Sequence, residues 1–325
     1  METSSIFNIK TANNFEKLAL KIFNHQAINN KIYANFLSLL RINPKSITSL
    51  EQIPFLPIQF FKTHKILSSK EQIQQTFLSS GTTGMQQSKH HVTDLNIYEN
   101  SFTKGFQYFY GDIKNYTVLA LLPSYLERDG SSLIYMANNF IEKSACKESG
   151  FYLHNLEELA QKLMQLDANG KKVLLIGVSY ALLDLIELHQ FDLKNTIIME
   201  TGGMKGKRKE MIKEELHQIL CKGFGVKKIH SEYGMTELLS QAYSHGNGIF
   251  KTPPWIRILI RDTEDALNIL PVNRAGGINV IDLANINSCS FIATQDLGKT
   301  YLNGTFEILG RFDNSDIRGC NLMVV

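Results

Sequence analysis

Between residues 116 and 230 the chain alternates short apolar runs with segments of helical periodicity, and this alternation restricts it to one class of architecture. The apolar runs are Tyr116 to Leu122, Val173 to Gly177, Thr196 to Glu200 and Val226 to His230. The helical segments lie near Ser131 to Phe140, Leu156 to Leu166, Ala181 to His189 and Lys207 to Cys221. Val173-Leu174-Leu175-Ile176 has no polar face, so a strand there must be buried on both sides. The expectation is an α/β fold: a mixed sheet covered by helices, with ligands bound beyond the carboxyl ends of its strands.

After Gly248 only strands are expected, at Trp255 to Arg261, Gly277 to Leu283, Ser290 to Ala293 and Thr305 to Leu309. The chain therefore divides into an α/β core with a helical opening, residues 1–248, and a small β subdomain, residues 249–325. In that opening, apolar residues recur at helical spacing from Phe15 to Leu40, and Pro44 closes the run. Ile53 to Lys62 is apolar but holds two prolines, so it reads as a buried extended connector and not a helix. Thr76 to Leu78 and His90 to Thr93 read as short strands around a loop, and Thr93 or Asp94 caps a helix running to Tyr110.

Composition narrows the function. With 43% hydrophobic and 20% charged residues in 325, the chain is long enough for a substantial core. Its 34 basic residues nearly balance its 31 acidic ones, and no aromatic-rich basic stripe is present, which argues against nucleic acid as a partner. No run approaches a membrane span and Met1 to Lys10 lacks an apolar core, so a cytoplasmic protein is expected. Cys146, Cys221, Cys289 and Cys320 are scattered, with neither C-x-x-C nor zinc spacing.

Two distant segments carry the chemistry. Ser79-Ser80-Gly81-Thr82-Thr83-Gly84, with Lys89, puts hydroxyls around two glycines, a combination that can turn backbone N–H groups toward a phosphate. It is not a Walker loop, because Gln86 stands where that motif needs its second glycine. An ordinary Ser/Gly-rich hairpin loop would share this composition. The second segment is Tyr233-Gly234-Met235-Thr236-Glu237, expected just past a strand end. Its tyrosine can stack on a base, its glycine admits close backbone approach, Thr236 can meet a phosphate and Glu237 can hold Mg²⁺. A turn around a buried tyrosine is the plainer reading.

In this order the two segments resemble the adenylate-forming superfamily, which includes acyl-CoA synthetases, adenylation domains and firefly luciferase. The likeness extends to Thr201-Gly202-Gly203, to Asp296 in Thr294-Gln295-Asp296 and to Gly310-Arg311-Phe312-Asp313. Within the superfamily the chain is most similar to the acyl-protein synthetases of bacterial bioluminescence. That narrower likeness rests on Ile53-Pro54-Phe55-Leu56-Pro57 with Phe60-Phe61-Lys62, Ser88-Lys89-His90 after the glycine loop, Thr201 to Gly206, Ser231 to Glu237 and Asp316-Ile317-Arg318-Gly319-Cys320.

The resemblance implies ATP as cofactor with Mg²⁺ on Glu237. Ser79 to Gly84 and Lys89 would hold phosphates, Tyr233, Gly234, Gly202 and Gly203 would face adenine, and Asp296 and Arg311 would meet ribose. It implies a carboxylic acid substrate, in this family a fatty acid, activated as acyl-AMP. The mobile C-terminal lid of acyl-CoA synthetases, with its lysine, is expected to be absent, and Cys320 stands where the family's acyl-accepting cysteine lies. An acyl reductase or acyl carrier protein is the implied partner. Three alternatives stay open: a truncated aryl or phenylacetate-type CoA ligase, an amide-forming or amino-acid-activating enzyme, and a nucleotide-binding scaffold without turnover. His90, His91 and His230, and the basic run Lys205, Lys207, Arg208 and Lys209, read as structural or solvated; Leu122 to Arg128 reads as the acyl side of the pocket.

Overall fold

The computed structural model describes residues 3–80, 86–123, 130–153, 155–202, 208 and 211–312. The opening is two helices, Ala12–Asn29 and Lys31–Leu39, where one continuous periodic run is expected. Asn30 makes the break: its side chain accepts from the Tyr33 N–H at 3.0 Å, capping the second helix, while its Nδ2 donates to the Ser288 carbonyl at 2.9 Å. The proline-broken connector forms β1 (Leu56–Pro57) and then one helical turn, Phe60–Thr63, so its last part is helical after all. Next come the hairpin strands β2 (Gln75–Leu78) and β3 (Lys89–Val92), then the helix Leu95–Tyr110, capped by Asp94 as expected.

The middle of the chain supplies β4 (Thr117–Leu121), β5 (Gly150–Tyr152), β6 (Val173–Val178), β7 (Thr196–Thr201) and β8 (His230–Tyr233). These five run parallel in the order β5-β4-β6-β7-β8. The helices Ser132–Ser144, Leu156–Ala168, Ser179–Leu188 and Lys213–Phe224 lie between them in sequence. Every residue of β4 and β6 is buried, as the apolar runs require.

Two boundaries differ from the sequence expectation. The last of these helices starts at Lys213, and β8 starts at His230 and includes Tyr233. Val226 is not in a strand. Gly225 ends the helix in the left-handed region (φ 68°), and Val226 donates its N–H back to the Cys221 carbonyl, so it belongs to the helix cap.

Beyond β8 the sheet turns antiparallel through β9 (Ala242–Ser244), β10 (Ile249–Lys251), β11 (Ile256–Arg261), β12 (Ile269–Leu270), β13 (Ala275–Asp282), β14 (Phe291–Thr300) and β15 (Phe306–Arg311). Among the described residues they continue the same hydrogen-bonded sheet, in the order β8-β9-β10-β15-β14-β13-β11-β12, with β1 parallel to β14. The change of strand direction comes already at β9, before position 248, and hydrogen bonding between β9 and β10 runs across that position. The opening helices close the lower end of β14. There Phe291 stacks on Tyr33 at 6.2 Å and meets Phe23 edge-on at 5.9 Å, contacts of about 0.5–1.5 kcal/mol each beyond simple burial.

Candidate functional site

The first motif begins where the β2–β3 hairpin ends. The Ser79 N–H donates to the Ser88 carbonyl at 3.1 Å and the Ser88 N–H donates to Ser79 Oγ at 2.8 Å, which ties the neck of the loop shut. Gln87 Nε2 adds a bond to the Ser79 carbonyl at 2.9 Å. Ser80 is exposed at the rim. Gly81, Thr82, Thr83 and Gly84 lie outside the described residues.

Strand alternation then separates three neighbours: Ser88 and His90 are buried, and Lys89 between them is exposed. The buried pair reaches the second motif. His90 Nδ1 lies 2.8 Å from the Thr236 carbonyl and His90 Nε2 lies 3.0 Å from Ser288 Oγ. Burial holds the His90 pKa down at about 4, so the ring is neutral at neutral pH. A carbonyl can only accept, so Nδ1 carries the proton and the Ser288 hydroxyl donates to Nε2.

Ser88 hydrogen-bonds the Glu237 carboxylate. Burial pushes the Glu237 pKa up, against the Ser88 bond and the charges of Arg311 and Lys62. The turn itself is held by its backbone. Asn285 Nδ2 donates to the Glu237 carbonyl at 2.8 Å, and buried Asp282 accepts from the Leu239 N–H at 2.9 Å and from Ser240 Oγ at 2.6 Å. The Thr236 side chain is half-buried at the same turn.

Tyr233, Asp296 and Arg311 come together as one group. The Tyr233 hydroxyl donates to Asp296 Oδ2 at 2.7 Å, and Arg311 Nε lies 3.3 Å from Asp296 Oδ1. Antiparallel pairing puts Asp296 directly opposite Arg311. Burial raises the Asp296 pKa, while Tyr233, Arg311 and Arg261 lower it. Arg261 is spent on backbone: it donates to the carbonyls of Ile278 at 2.8 Å and Thr294 at 2.6 Å, which sets the approach of β14 to Asp296.

At the end of β7, Gly202 turns the chain with φ 70° and its carbonyl accepts from Ser179 Oγ at 3.4 Å. Gly203 and Cys320 lie outside the described residues. Among the described residues no three His, Cys, Asp or Glu side chains form a metal cage. The buried Glu237 carboxylate, with a hydroxyl beside it, nevertheless suits Mg²⁺, which takes one or two carboxylates and completes its shell with water and phosphate oxygens.

The structure therefore gathers Ser79, Tyr233, Gly234, Thr236, Glu237, Asp296 and Arg311 around one region, with Gly202 at the neighbouring strand end. Lys89 alternates away from the face that meets Glu237. The residues that join the two motifs, Ser88 and His90, and the extra cation Lys62 were not assigned to the site from sequence. The alternating pattern of Ser88-Lys89-His90 is the signal that identifies the inward pair. His230 is at the opposite end of β8, 3.1 Å from the Tyr110 hydroxyl, consistent with a structural histidine. No described helix is long and apolar enough to cross a membrane.

Solved structures with this fold are adenylate-forming enzymes. ATP-bound MatB from Rhodopseudomonas palustris matches with a TM-score of 0.56 at 17% identity, over 75% of this chain and 49% of that one. The chain thus spans about half the length of MatB. 2-Hydroxyisobutyryl-CoA ligase, in an open conformation with 2-HIB-AMP and CoA, matches with a TM-score of 0.65 at 11% identity, over 93% of this chain and 70% of that one. The same ligase in its postadenylation state with R3-HIB-AMP gives 0.66 at 12% identity, over 93% and 68%. At these identities the likeness is one of fold. No curated protein matches the sequence. The family model described as acyl-protein synthetase, LuxE, matches residues 8–325, and with nearly the whole sequence covered the chain belongs to that family.

Proposed function

We propose that the protein activates a carboxylic acid with ATP, forming acyl-AMP and pyrophosphate, and passes the acyl group to a protein thiol. The observation that carries this reading is the junction of Ser88 and His90 with the Thr236–Glu237 turn, which brings the phosphate-loop hairpin and the acidic motif to one place. A carboxylate is a poor electrophile, and joining it to AMP supplies a stable leaving group. A substrate carboxylate oxygen attacks the α-phosphorus of ATP, the bond from that phosphorus to the bridging oxygen breaks, and pyrophosphate leaves. The thiol sulfur then attacks the acyl carbon, its proton goes to solvent or a nearby base, and AMP departs as the thioester forms.

Each residue has a part. Ser79, Ser80, Gly81, Thr82, Thr83 and Gly84 receive the phosphates, with Lys89 as the exposed cation at the exit of the loop. Tyr233, Gly234, Gly202 and Gly203 border the base, and Asp296 accepts from ribose hydroxyls with Arg311 beside it. Glu237 would hold Mg²⁺, and the ion would supply neutralisation of phosphate charge. Cys320 takes the acyl group, and the family resemblance makes the acid a fatty acid and an acyl reductase or carrier protein the receiver.

ATP–pyrophosphate exchange over a panel of acids tests the first half of this reading. Exchange should need an acid, collapse in Glu237→Gln and Lys89→Ala, and persist in Cys320→Ser. Hydroxylamine-labile acylation of the protein should vanish in Cys320→Ser; survival of that label moves the acceptor role to another thiol. Exchange that is independent of any acid ends the proposal.

A further inference from the structure

Beside the nucleotide residues, one face at the carboxyl ends of β7 and β8 carries polar groups that the proposed chemistry leaves without a task. Thr201 pairs with Glu232 across the parallel strands, and Glu232 pairs with Tyr243 across β8 and β9, so the three side chains share a face. Gln241, two residues before Tyr243, falls on the same face. Thr201 Oγ1 donates to Glu232 Oε2 at 2.5 Å. A Cβ on Gly234 would stand 2.5 Å from Glu232 Oε1 and 3.3 Å from Gln241 Cγ, so the Glu232 carboxylate and the Gln241 side-chain stem both pack against that glycine.

Among the described residues two atoms of this cluster have no partner: Gln241 Oε1 and the Tyr243 hydroxyl make no hydrogen bond there, although Gln241 is only 6% and Tyr243 only 1% exposed. Glu232 is itself 9% exposed. The basic side chains went elsewhere: Lys213 Nζ, at 2.8 Å, and His217 Nε2, at 3.4 Å, both serve Glu200 on the opposite face. The Glu232 face is otherwise aromatic, with Tyr98 and Tyr243 close enough to feel its charge.

We propose that Glu232, Gln241 and Tyr243 are the part of the acid-binding site that reads a hydrogen-bond donor, so that the activated acid carries a hydroxyl or ammonium group along its chain. This rests on the acid-activating reading above. The Gln241 amide oxygen is an acceptor at any pH and Glu232 is a second one once ionised, and a buried acceptor left unmet costs about 1–3 kcal/mol. A bare hydrocarbon tail laid on this face would bury them for no return. A hydroxyl or ammonium group satisfies both, and Tyr243 can donate to a hydroxyl in turn. The face adjoins Tyr233, Gly234 and Gly202, so a group docked there belongs to the molecule being adenylated.

The test uses the full chain and straight-chain acids matched in length that carry hydrogen, hydroxyl or ammonium along the chain. In pyrophosphate exchange, kcat/KM for a donor-bearing acid should exceed that of the plain acid by on the order of 10-fold to 100-fold. Tyr243→Phe and Gln241→Leu should each shrink that ratio. Tyr243→Phe removes a hydroxyl with no partner among the described residues, so it should fold at least as stably as the parent. Equal or better use of the plain acid overturns the inference, and so does a ratio that survives both substitutions, the result an ordinary buried water in this place would give. If no acid supports exchange, the adenylating reading fails separately. Thermal stabilisation by the same acids without ATP then decides: greater stabilisation by the donor-bearing acids supports the site, and equal or absent stabilisation overturns it.

Discussion

His90 Nδ1 lies 2.8 Å from the carbonyl oxygen of Thr236, so the strand leaving the phosphate loop is fastened to the residue before Glu237. The ring is 1% exposed and also meets Phe61 edge-on at 5.6 Å. His90→Ala would orphan the Thr236 carbonyl and the Ser288 hydroxyl and leave a cavity. The expected loss is about 2–4 kcal/mol in urea unfolding. Where the variant still folds, its KM for ATP in exchange should rise on the order of 10-fold, because the loop and the carboxylate lose their common support. His90→Asn, which can still donate to Thr236, should recover part of both. An alanine variant with unchanged stability and unchanged KM would contradict this coupling.

Tyr233 and Asp296 should behave as a unit. The Tyr233 hydroxyl is a donor to a mostly buried carboxylate, and such bonds contribute about 1.5–3 kcal/mol. Tyr233→Phe and Asp296→Asn should each weaken ATP use, and their double variant should fall short of the sum by about 0.5–3 kcal/mol in a cycle built on kcat/KM. Strict additivity would show that the two residues act independently.

How far the sequence reveals this arrangement depends on what each segment packs against. Strands β4, β6 and β7 are legible because each holds an unbroken apolar run, with β4 and β6 buried throughout. Strand β8 is not, because its buried residues include Ser231 and Glu232, whose burial is made possible by partners on other strands and helices. The short strand β5 has no pattern long enough to notice. Motif residues such as Tyr233, Glu237, Asp296 and Arg311 are recognisable as residue types in order, but only the closeness of Asp296 and Arg311 follows from the antiparallel pairing of β14 and β15. The connection made by Ser88 and His90 is purely tertiary: nothing local to Ser88-Lys89-His90 names Thr236 or Glu237 as its partner. The influence of Lys62 on Glu237 likewise depends on β1 docking beside β14.

A glycine remote from the proposed chemistry separates stability from activity. Gly225 has φ 68°, and a Cβ there would stand 2.4 Å from the Phe191 carbonyl oxygen and 2.7 Å from Asp192 Cα. Both neighbours are backbone, so neither can swing aside. Gly225→Ala should cost about 2–3 kcal/mol, from left-handed strain plus the clash. Its exchange kinetics below the unfolding transition should match the parent. A variant as stable as the parent would mean that the loop from Phe191 to Asp192 yields more easily than its backbone contacts indicate.

Two buried carboxylates on opposite faces of neighbouring strands should give the protein a divided response to pH. Burial alone would push Glu200 up, but Lys213, His217 and Ser231 hold it at about 2, below its ordinary 4.5. That stabilisation is fully present above about 4.5 and is lost as pH falls toward 2. Glu232 runs the other way: burial, with the charge of Glu200 added, raises it to about 7 against the Thr201 bond and the pull of Lys213. Its folded form holds a proton that the unfolded chain releases near 4.5, so stability declines as pH rises from about 4.5 to about 7. Glu232→Gln keeps an acceptor for Thr201 and removes the titration. Its stability relative to the parent should therefore climb across that window, by on the order of 1–3 kcal/mol, and level off above it. Chemical denaturation at a series of pH values measures the difference directly, and parallel curves for the two proteins would show that Glu232 titrates as an ordinary carboxylate.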